Sequence, residues 1–189
     1  MKKLEDMTLE ELWNLFPIEL VPYKSEWIGW YNVEKNAITK SLIDENIFEF
    51  SINHIGSTAI SNIYAKNIVD ILLECNRNDY SKICSLLVNV LGYKCMSRCD
   101  YRFSFNKGYT IKGYSDKVYH LHLRLFGDND EIYFRDYLND HYDIAKSYEK
   151  LKLSLESKYK YNRDAYTDAK TDFVKHYTNI SKQKSNMNN

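Results

Sequence analysis

Eight consecutive residues, Ile68-Val69-Asp70-Ile71-Leu72-Leu73-Glu74-Cys75, are apolar at all but two positions. A half-exposed strand alternates with a period of two, so an almost unbroken apolar run of this length reads as a strand covered on both faces. Such a strand lies inside a sheet with helices packed over it, which places the chain in the mixed α/β class. Asp70 stands within the run. An unpaired buried carboxylate is costly, so Asp70 must meet a metal, a cation or a pocket, unless it sits at a strand end and accepts bonds from nearby amides.

The flanking sequence supplies the other elements. Thr8-Leu9-Glu10-Glu11 reads as a capping box that opens a short helix to Phe16. Pro17 and Pro22 bracket an extended link. From Ser25, read as a cap, to about Asn46, the residues Trp27, Trp30, Tyr31, Ala37, Ile38 and Leu42 recur at helical spacing. At Phe48 the period changes to two, through Phe50, Ile52 and His54, and this strand ends at Gly56-Ser57-Thr58. A short helical piece is expected before Ile68, and a helix over 79–91 stops at Gly92. Strands near 93–97, 101–106 and 118–126 follow. Beyond Asp128 the pattern is helical, with stripes Ile144-Tyr148-Leu151-Leu155-Tyr159 and Ala165-Ala169-Phe173-Tyr177-Ile180, the latter capped by Asn162. The expected organisation is a helical extension over 1–20, one domain over 21–181 and a frayed tail over 182–189.

Composition excludes several classes. The 189 residues carry 26 basic and 26 acidic side chains and no net charge, which argues against a nucleic-acid binder held by bulk charge. With 44% apolar and 28% charged residues the chain lies outside the disordered regime. The start, Met1-Lys2-Lys3-Leu4-Glu5-Asp6, lacks the apolar stretch of a secretory signal, and no apolar run approaches the roughly 18 residues of a membrane span. A cytoplasmic protein is expected. Cys75, Cys84, Cys95 and Cys99 form no C-x-x-C pair and read as buried or bystander thiols.

Five groups of residues could carry chemistry. Gly56-Ser57-Thr58, at a strand-to-helix handover, offers free amides and a hydroxyl to an anion, although Gly-Ser-Thr is also a common turn. Asp70 follows about one short segment later. His120-Leu121-His122 places two imidazoles on one strand face, able to reach one ion or one phosphate. His54 abuts Gly56 and reads either as a core histidine or as part of the same site. In the helical half, Arg135, Lys152 and the pair Tyr166/Lys170 could present cations to an anionic ligand, or simply a solvated face.

Taken in order, His54-Ile55-Gly56-Ser57-Thr58-Ala59, Ala65-Lys66, Val69-Asp70-Ile71-Leu72, Tyr119-His120-Leu121-His122, Phe134-Arg135-Asp136-Tyr137-Leu138, Leu151-Lys152 and Asn162-Arg163-Asp164-Ala165-Tyr166-Thr167-Asp168-Ala169-Lys170 resemble the GrpB family, an uncharacterised group placed in the nucleotidyltransferase superfamily. The resemblance covers roughly residues 20 to 180. It implies a mixed β-sheet flanked by helices, in which a Gly-Ser turn holds a nucleoside triphosphate and carboxylates on the next strand hold divalent metal. Asp70 matches the first carboxylate, but the second position is Leu72, and Glu74 lies about 13 Å further along the strand. The usual two-metal clamp is therefore not visible. Asp70 with His120 and His122 offers another metal site, for Mg, Mn or Zn, whose two imidazoles favour a transition metal. Ser61, Asn62 and Asn67 replace the family's usual Pro and Gly in the loop.

The resemblance implies an enzyme that binds a nucleoside triphosphate or related phosphate ester. Asp70 and Ser57 are the candidate catalytic residues. His54, Gly56, Ser57, Thr58, Lys66, Arg135, Lys152, Tyr166 and Lys170 are the candidate phosphate ligands, and Asp70, His120 and His122 the candidate metal ligands. The alternatives are a binding module that has lost transfer chemistry, which the missing second carboxylate favours, and a His/Asp metal site with a hydrolytic or structural role.

Overall fold

The computed structural model describes residues 2–187. Thr8 caps α1 (Leu9–Leu15) as expected: its hydroxyl accepts from the Glu11 amide at 3.2 Å, and the Glu11 carboxylate accepts from the Thr8 amide at 2.7 Å. The chain then passes through β1 (Leu20–Val21) into α2 (Glu26–Asp44). Ser25 does not cap α2, because its own backbone is already helical and its side chain bonds no helix amide. Trp27, Tyr31, Ile38 and Leu42 form the buried stripe of α2, as its spacing requires.

The main sheet contains β2 (Phe50–Ile55), β4 (Val69–Cys75), β5 (Lys94–Cys99), β6 (Arg102–Thr110) and β7 (Gly113–Leu125), in the order β2-β4-β7-β6-β5. The two-residue β3 (Ala65–Lys66) instead pairs antiparallel with β1, Leu20 opposite Lys66. Within the main sheet β4 and β7 run parallel and every other neighbouring pair is antiparallel. Between β4 and β5 lies α3 (Tyr80–Asn89), followed by Gly92 in the left-handed region.

Strand register sorts the sheet into two unlike faces, since residues directly opposite one another point to the same side. Ile71, Leu73 and Cys75 of β4, with Ile52 of β2 and Tyr119, Leu121 and Leu123 of β7, pack under α2 and α3 in the main core. The other face carries Asp70, Leu72 and Glu74 of β4 beside His120, His122 and Arg124 of β7 and Asn106 and Ser104 of β6. The expectation of a strand covered on both sides holds at Leu72 and Glu74, both buried, while Asp70 keeps a quarter of its side chain open.

Between β2 and β4 the chain is not the helical piece expected from sequence. It makes one 3-10 turn, Ser57–Ala59, and is then held by side chains of the following helices α4 (Asp130–Asp140) and α5 (Tyr142–Tyr159). Asn139 accepts from the Ser61 amide and donates to the Ala59 carbonyl, Lys146 donates to the Asn62 carbonyl at 2.8 Å, and Glu149 accepts from the Tyr64 amide at 2.7 Å. Side chains thus take the backbone groups that a helix would have paired. Asn67 accepts from the Trp27 indole at 2.8 Å, which fixes the turn into β4 without a proline.

Asn162 caps α6 (Arg163–Asp168), accepting from the Ala165 amide at 3.0 Å. The stripe read as one helix over 165–180 is broken after Asp168, and α7 (Thr171–Met187) begins anew. Ile60 and Ile63 join Phe134, Leu138, Ala145 and Tyr148 in a second core, against which Phe173 and Tyr177 pack. Past Ser181 the chain stays helical instead of fraying, because Lys182 pairs with Asp130 and Lys184 sits 3.1 Å from His141 Nε2; Asn188 and Asn189 lie outside the described residues. Nor does the packing break at residue 20. Phe16 is 2% exposed, and the Ile18 amide donates to the Lys160 carbonyl at 2.8 Å. Among the described residues no helix is long and apolar enough to cross a membrane.

Candidate active site

Asp70 lies in register between Ile55 of β2 and His120 of β7, at the end of the polar face. Directly above it the chain leaves β2 through Gly56, whose φ of +68° few other residues adopt. A Cβ built on Gly56 would stand 2.2 Å from Asp70 Oδ2, so the glycine is required both by the backbone angle and by the carboxylate beneath it. In the turn that follows, Ala59 donates to Gly56 and Ile60 to Ser57, which leaves the first amides without a partner inside the turn. The turn is too short to supply the dipole of a helix.

A chain of hydrogen bonds holds Asp70 from the sheet side. His120 Nδ1 is 3.2 Å from Asp70 Oδ1, the Tyr109 hydroxyl is 2.7 Å from His120 Nε2, and Arg163 Nη2 donates to the Tyr109 oxygen at 3.0 Å. One proton arrangement satisfies all three: neutral His120 donates from Nδ1 to the carboxylate and accepts at Nε2 from Tyr109. Burial pushes His120 below its ordinary value, against the pull of Asp70, which keeps the ring neutral. Burial alone would raise the Asp70 carboxyl, but the hydrogen bond from His120 and the nearby Lys66 cation outweigh it and hold it at about 2.

Cations approach from the other side. Lys152 of α5 is 1% exposed; it donates to the Tyr64 carbonyl and lies 4.9 Å from the centre of the Tyr148 ring. Lys170, at the junction of α6 and α7, stands 4.3 Å over the buried Tyr166 ring. Lys66 comes from β3. Burial lowers Lys66 to about 7, helped by Arg163 and Lys170; burial with Lys170 and Lys66 lowers Lys152 to about 7; burial lowers Lys170 to about 8. The Asp70 charge opposes the shifts of Lys66 and Lys170, and Glu149 with Asp70 opposes that of Lys152. Burial pushes the Tyr148 hydroxyl up to about 12, with the nearby Ser57 side chain opposing.

Of the residues singled out in the sequence, Gly56, Ser57, Lys66, Asp70, Lys152, Tyr166 and Lys170 therefore gather around one carboxylate, with His120 behind it. Three do not belong there. His54 points to the opposite face of the sheet, where its ring stacks on Tyr31 at 4.8 Å and burial lowers it to about 4, with Asp70 opposing and Arg135 adding. Thr58 is buried and its hydroxyl is 3.0 Å from His54 Nε2. Arg135 donates to the His54 carbonyl at 2.8 Å and pairs with Asp136, so it lines a separate groove of about 310 Å³ with Tyr31 and His54.

The three-ligand metal site expected from His120, His122 and Asp70 is not assembled. Both His120 nitrogens are engaged as above, and His122 Nδ1 lies 3.3 Å from both Ser104 Oγ and Arg124 Nη2. Among the described residues no group of three His, Cys, Asp or Glu side chains is disposed to hold a metal ion. Leu72 is fully buried and Glu74 accepts from the Gly127 amide and the Asn129 side chain, so neither supplies a second carboxylate. What remains, a single carboxylate at Asp70, does not fit a two-metal clamp. The four cysteines are free thiols, and burial raises Cys75 to about 12 and Cys84 to about 11.

Sequence reasoning missed Arg163, Tyr109 and Tyr148. Arg163 carried a signal, since it occupies the first position of α6, where the helix dipole disfavours a cation. Tyr109 carried none: the β6–β7 register shifts between Lys107 and Tyr109, around Gly108 at φ +93°, and this irregularity aims the ring at His120.

Glutamate-rich protein GrpB of Alkalihalophilus pseudofirmus is 34% identical over 161 residues, 82% of this chain and 90% of its own length. The UPF0157 protein YqkA of Bacillus subtilis is 28% identical over 173 residues, and there the chain spans about half of the relative, 49%. The crystal structure of conserved protein GrpB from Enterococcus faecalis shares the fold, with a TM-score of 0.74 and 23% identity over 88% of this chain and 99% of that one. The GrpB protein family model matches residues 17–179, from just after Phe16 to within α7, and the chain belongs to the GrpB family.

Proposed function

We propose that the Asp70 pocket binds the phosphates of a nucleoside triphosphate, or of a related phosphate ester, and transfers a nucleotidyl group to an acceptor. The supporting observation is the convergence of Lys66, Lys152, Lys170 and Arg163 on a single carboxylate beside the Gly56-Ser57 turn. Buried like charges repel, and an anionic ligand relieves that repulsion. Gly56 lets a phosphate approach the backbone, the turn amides and Ser57 donate to it, and the lysines and Arg163 neutralise it. His120 keeps Asp70 ionised and oriented. A magnesium-type cation shared between Asp70 and the phosphates would supply charge neutralisation at the phosphoryl group under attack.

Calorimetric titration with ATP, CTP, GTP and coenzyme A, with Mg²⁺, Mn²⁺ or Zn²⁺ present, tests this reading. Binding by the wild type is expected, with a strengthening by Mg²⁺ that Asp70→Ala abolishes; no nucleotide binding, or a Mg²⁺ effect undiminished in the variant, would sink it. Leu72, buried where a second carboxylate is the superfamily's pattern, favours a second reading, a binding module without transfer chemistry. Incubation with labelled nucleotide and candidate acceptors separates the two, since a pure binder releases no pyrophosphate.

A further inference from the structure

Four cations lie within electrostatic reach of one carboxylate. Arg163 is anchored on the Tyr109 hydroxyl, Lys170 over the Tyr166 ring, Lys152 over the Tyr148 ring and on the Tyr64 carbonyl, and Lys66 is held in β3 opposite Leu20. Each comes from a different element, so their convergence is not the by-product of one charged helix face. Asp70 is their acidic counterpart, and one of its oxygens is already bonded to His120. With the lysines protonated, the four cations outnumber Asp70, and Glu149, itself paired with Lys146, offsets only part of the Lys152 charge. The second carboxylate that would draw in a second metal is absent, its position taken by buried Leu72.

From this juxtaposition we propose that the pocket binds the phosphate chain of its ligand directly through Lys66, Lys152, Lys170 and Arg163, without a divalent metal, and selects a chain of three to four negative charges over a single phosphate. This deepens the reading given above and rests on it for the nucleotide part only. Side-chain cations here take the neutralising role that metal ions take in a two-carboxylate site, and a metal at Asp70 is needed for transfer but not for binding. The chemistry is shared by the triphosphate of a nucleotide and by an inorganic tripolyphosphate, so the two sources must be tested side by side.

The experiment is calorimetric titration of the full chain with tripolyphosphate, pyrophosphate, orthophosphate and ATP, each in EDTA and again with excess Mg²⁺. Tripolyphosphate is expected to bind in EDTA, more tightly than pyrophosphate and far more tightly than orthophosphate. Lys66→Gln, Lys170→Gln and Arg163→Gln should each weaken it roughly tenfold or more, the loss typical of a charge-assisted hydrogen bond. The exposed Lys182→Gln should change it less than about twofold, as a surface pair does. Lys152 is buried, so its folding is checked by thermal unfolding before its binding is read. Asp70→Asn gives opposite signs: direct binding by cations predicts equal or tighter tripolyphosphate binding in EDTA, whereas binding through a metal predicts loss. Binding that appears only with Mg²⁺, or equal losses in Lys182→Gln and the pocket variants, would overturn the inference and leave the nucleotide reading standing. Tripolyphosphate binding without ATP binding would support the inference and overturn the nucleotide reading. Failure of every phosphate compound under both conditions would end both.

Discussion

Gly56 has the least freedom of any residue at the site. Its positive φ and the 2.2 Å that would separate a Cβ from Asp70 Oδ2 are independent obstacles to any side chain. Gly56→Ala should cost more than about 1 kcal/mol of stability through backbone strain. It should also displace the Asp70 carboxylate, so that nucleotide binding falls further than the loss of stability explains; unfolding curves and calorimetry on the same preparation check both. Gly56 and Asp70 were legible in the sequence because each breaks a local pattern, a turn at a strand end and an acid in an apolar run. His54 was not, because closeness in sequence to Gly56 says nothing of side. Only the β2–β4 register shows that His54 shares a face with Ile71 and faces away from Asp70.

At the scale of elements, the segment before β1 is built into the site's support. Phe16 packs at 4.7 Å against the Tyr109 ring and 5.0 Å against Tyr114, and Tyr109 in turn bonds His120. Phe16→Ala should cost about 3–5 kcal/mol, the range for deleting a buried phenylalanine. It should also loosen Tyr109, so the His120 ring resonances, followed by NMR against pH, are expected to titrate higher as the ring gains access to water. An unchanged titration would confine Phe16 to packing alone. Long helices and the apolar β4 were readable because their periods are local. The start of β7 was not, since Gly113-Tyr114-Ser115-Asp116-Lys117 has no apolar alternation and is a strand only because β6 pairs with it. The loop over 60–64 was misread for a related reason: what orders it is Asn139, Lys146 and Glu149, more than 75 positions away.

Across the whole molecule, zero net charge conceals a strong local imbalance. The lysines of the pocket bind protons less well folded than unfolded, being lowered from 10.5 to about 7 or 8. Between about pH 7 and 10.5 the unfolded chain therefore holds more protons, and their contribution to stability rises with pH in that window. Anion binding runs the other way, because it needs the protonated lysines. Phosphate affinity should strengthen as pH falls from 9 to 6.5, with proton uptake near pH 8 that calorimetry in buffers of different ionisation enthalpy would measure; affinity independent of pH would mean the lysines are not ligands. The parallel pairing of β4 with β7 has a temporal consequence. Asp70 and His120 are 50 residues apart and meet on that seam, while β5, β6 and β7 join through short local turns. Long-range closure is the entropically slow step in assembling such a sheet, so the pocket is absent until the chain has nearly finished folding. A ligand that recognises only the finished pocket retards unfolding and leaves the rate of folding unchanged, so its protection is kinetic as well as thermodynamic.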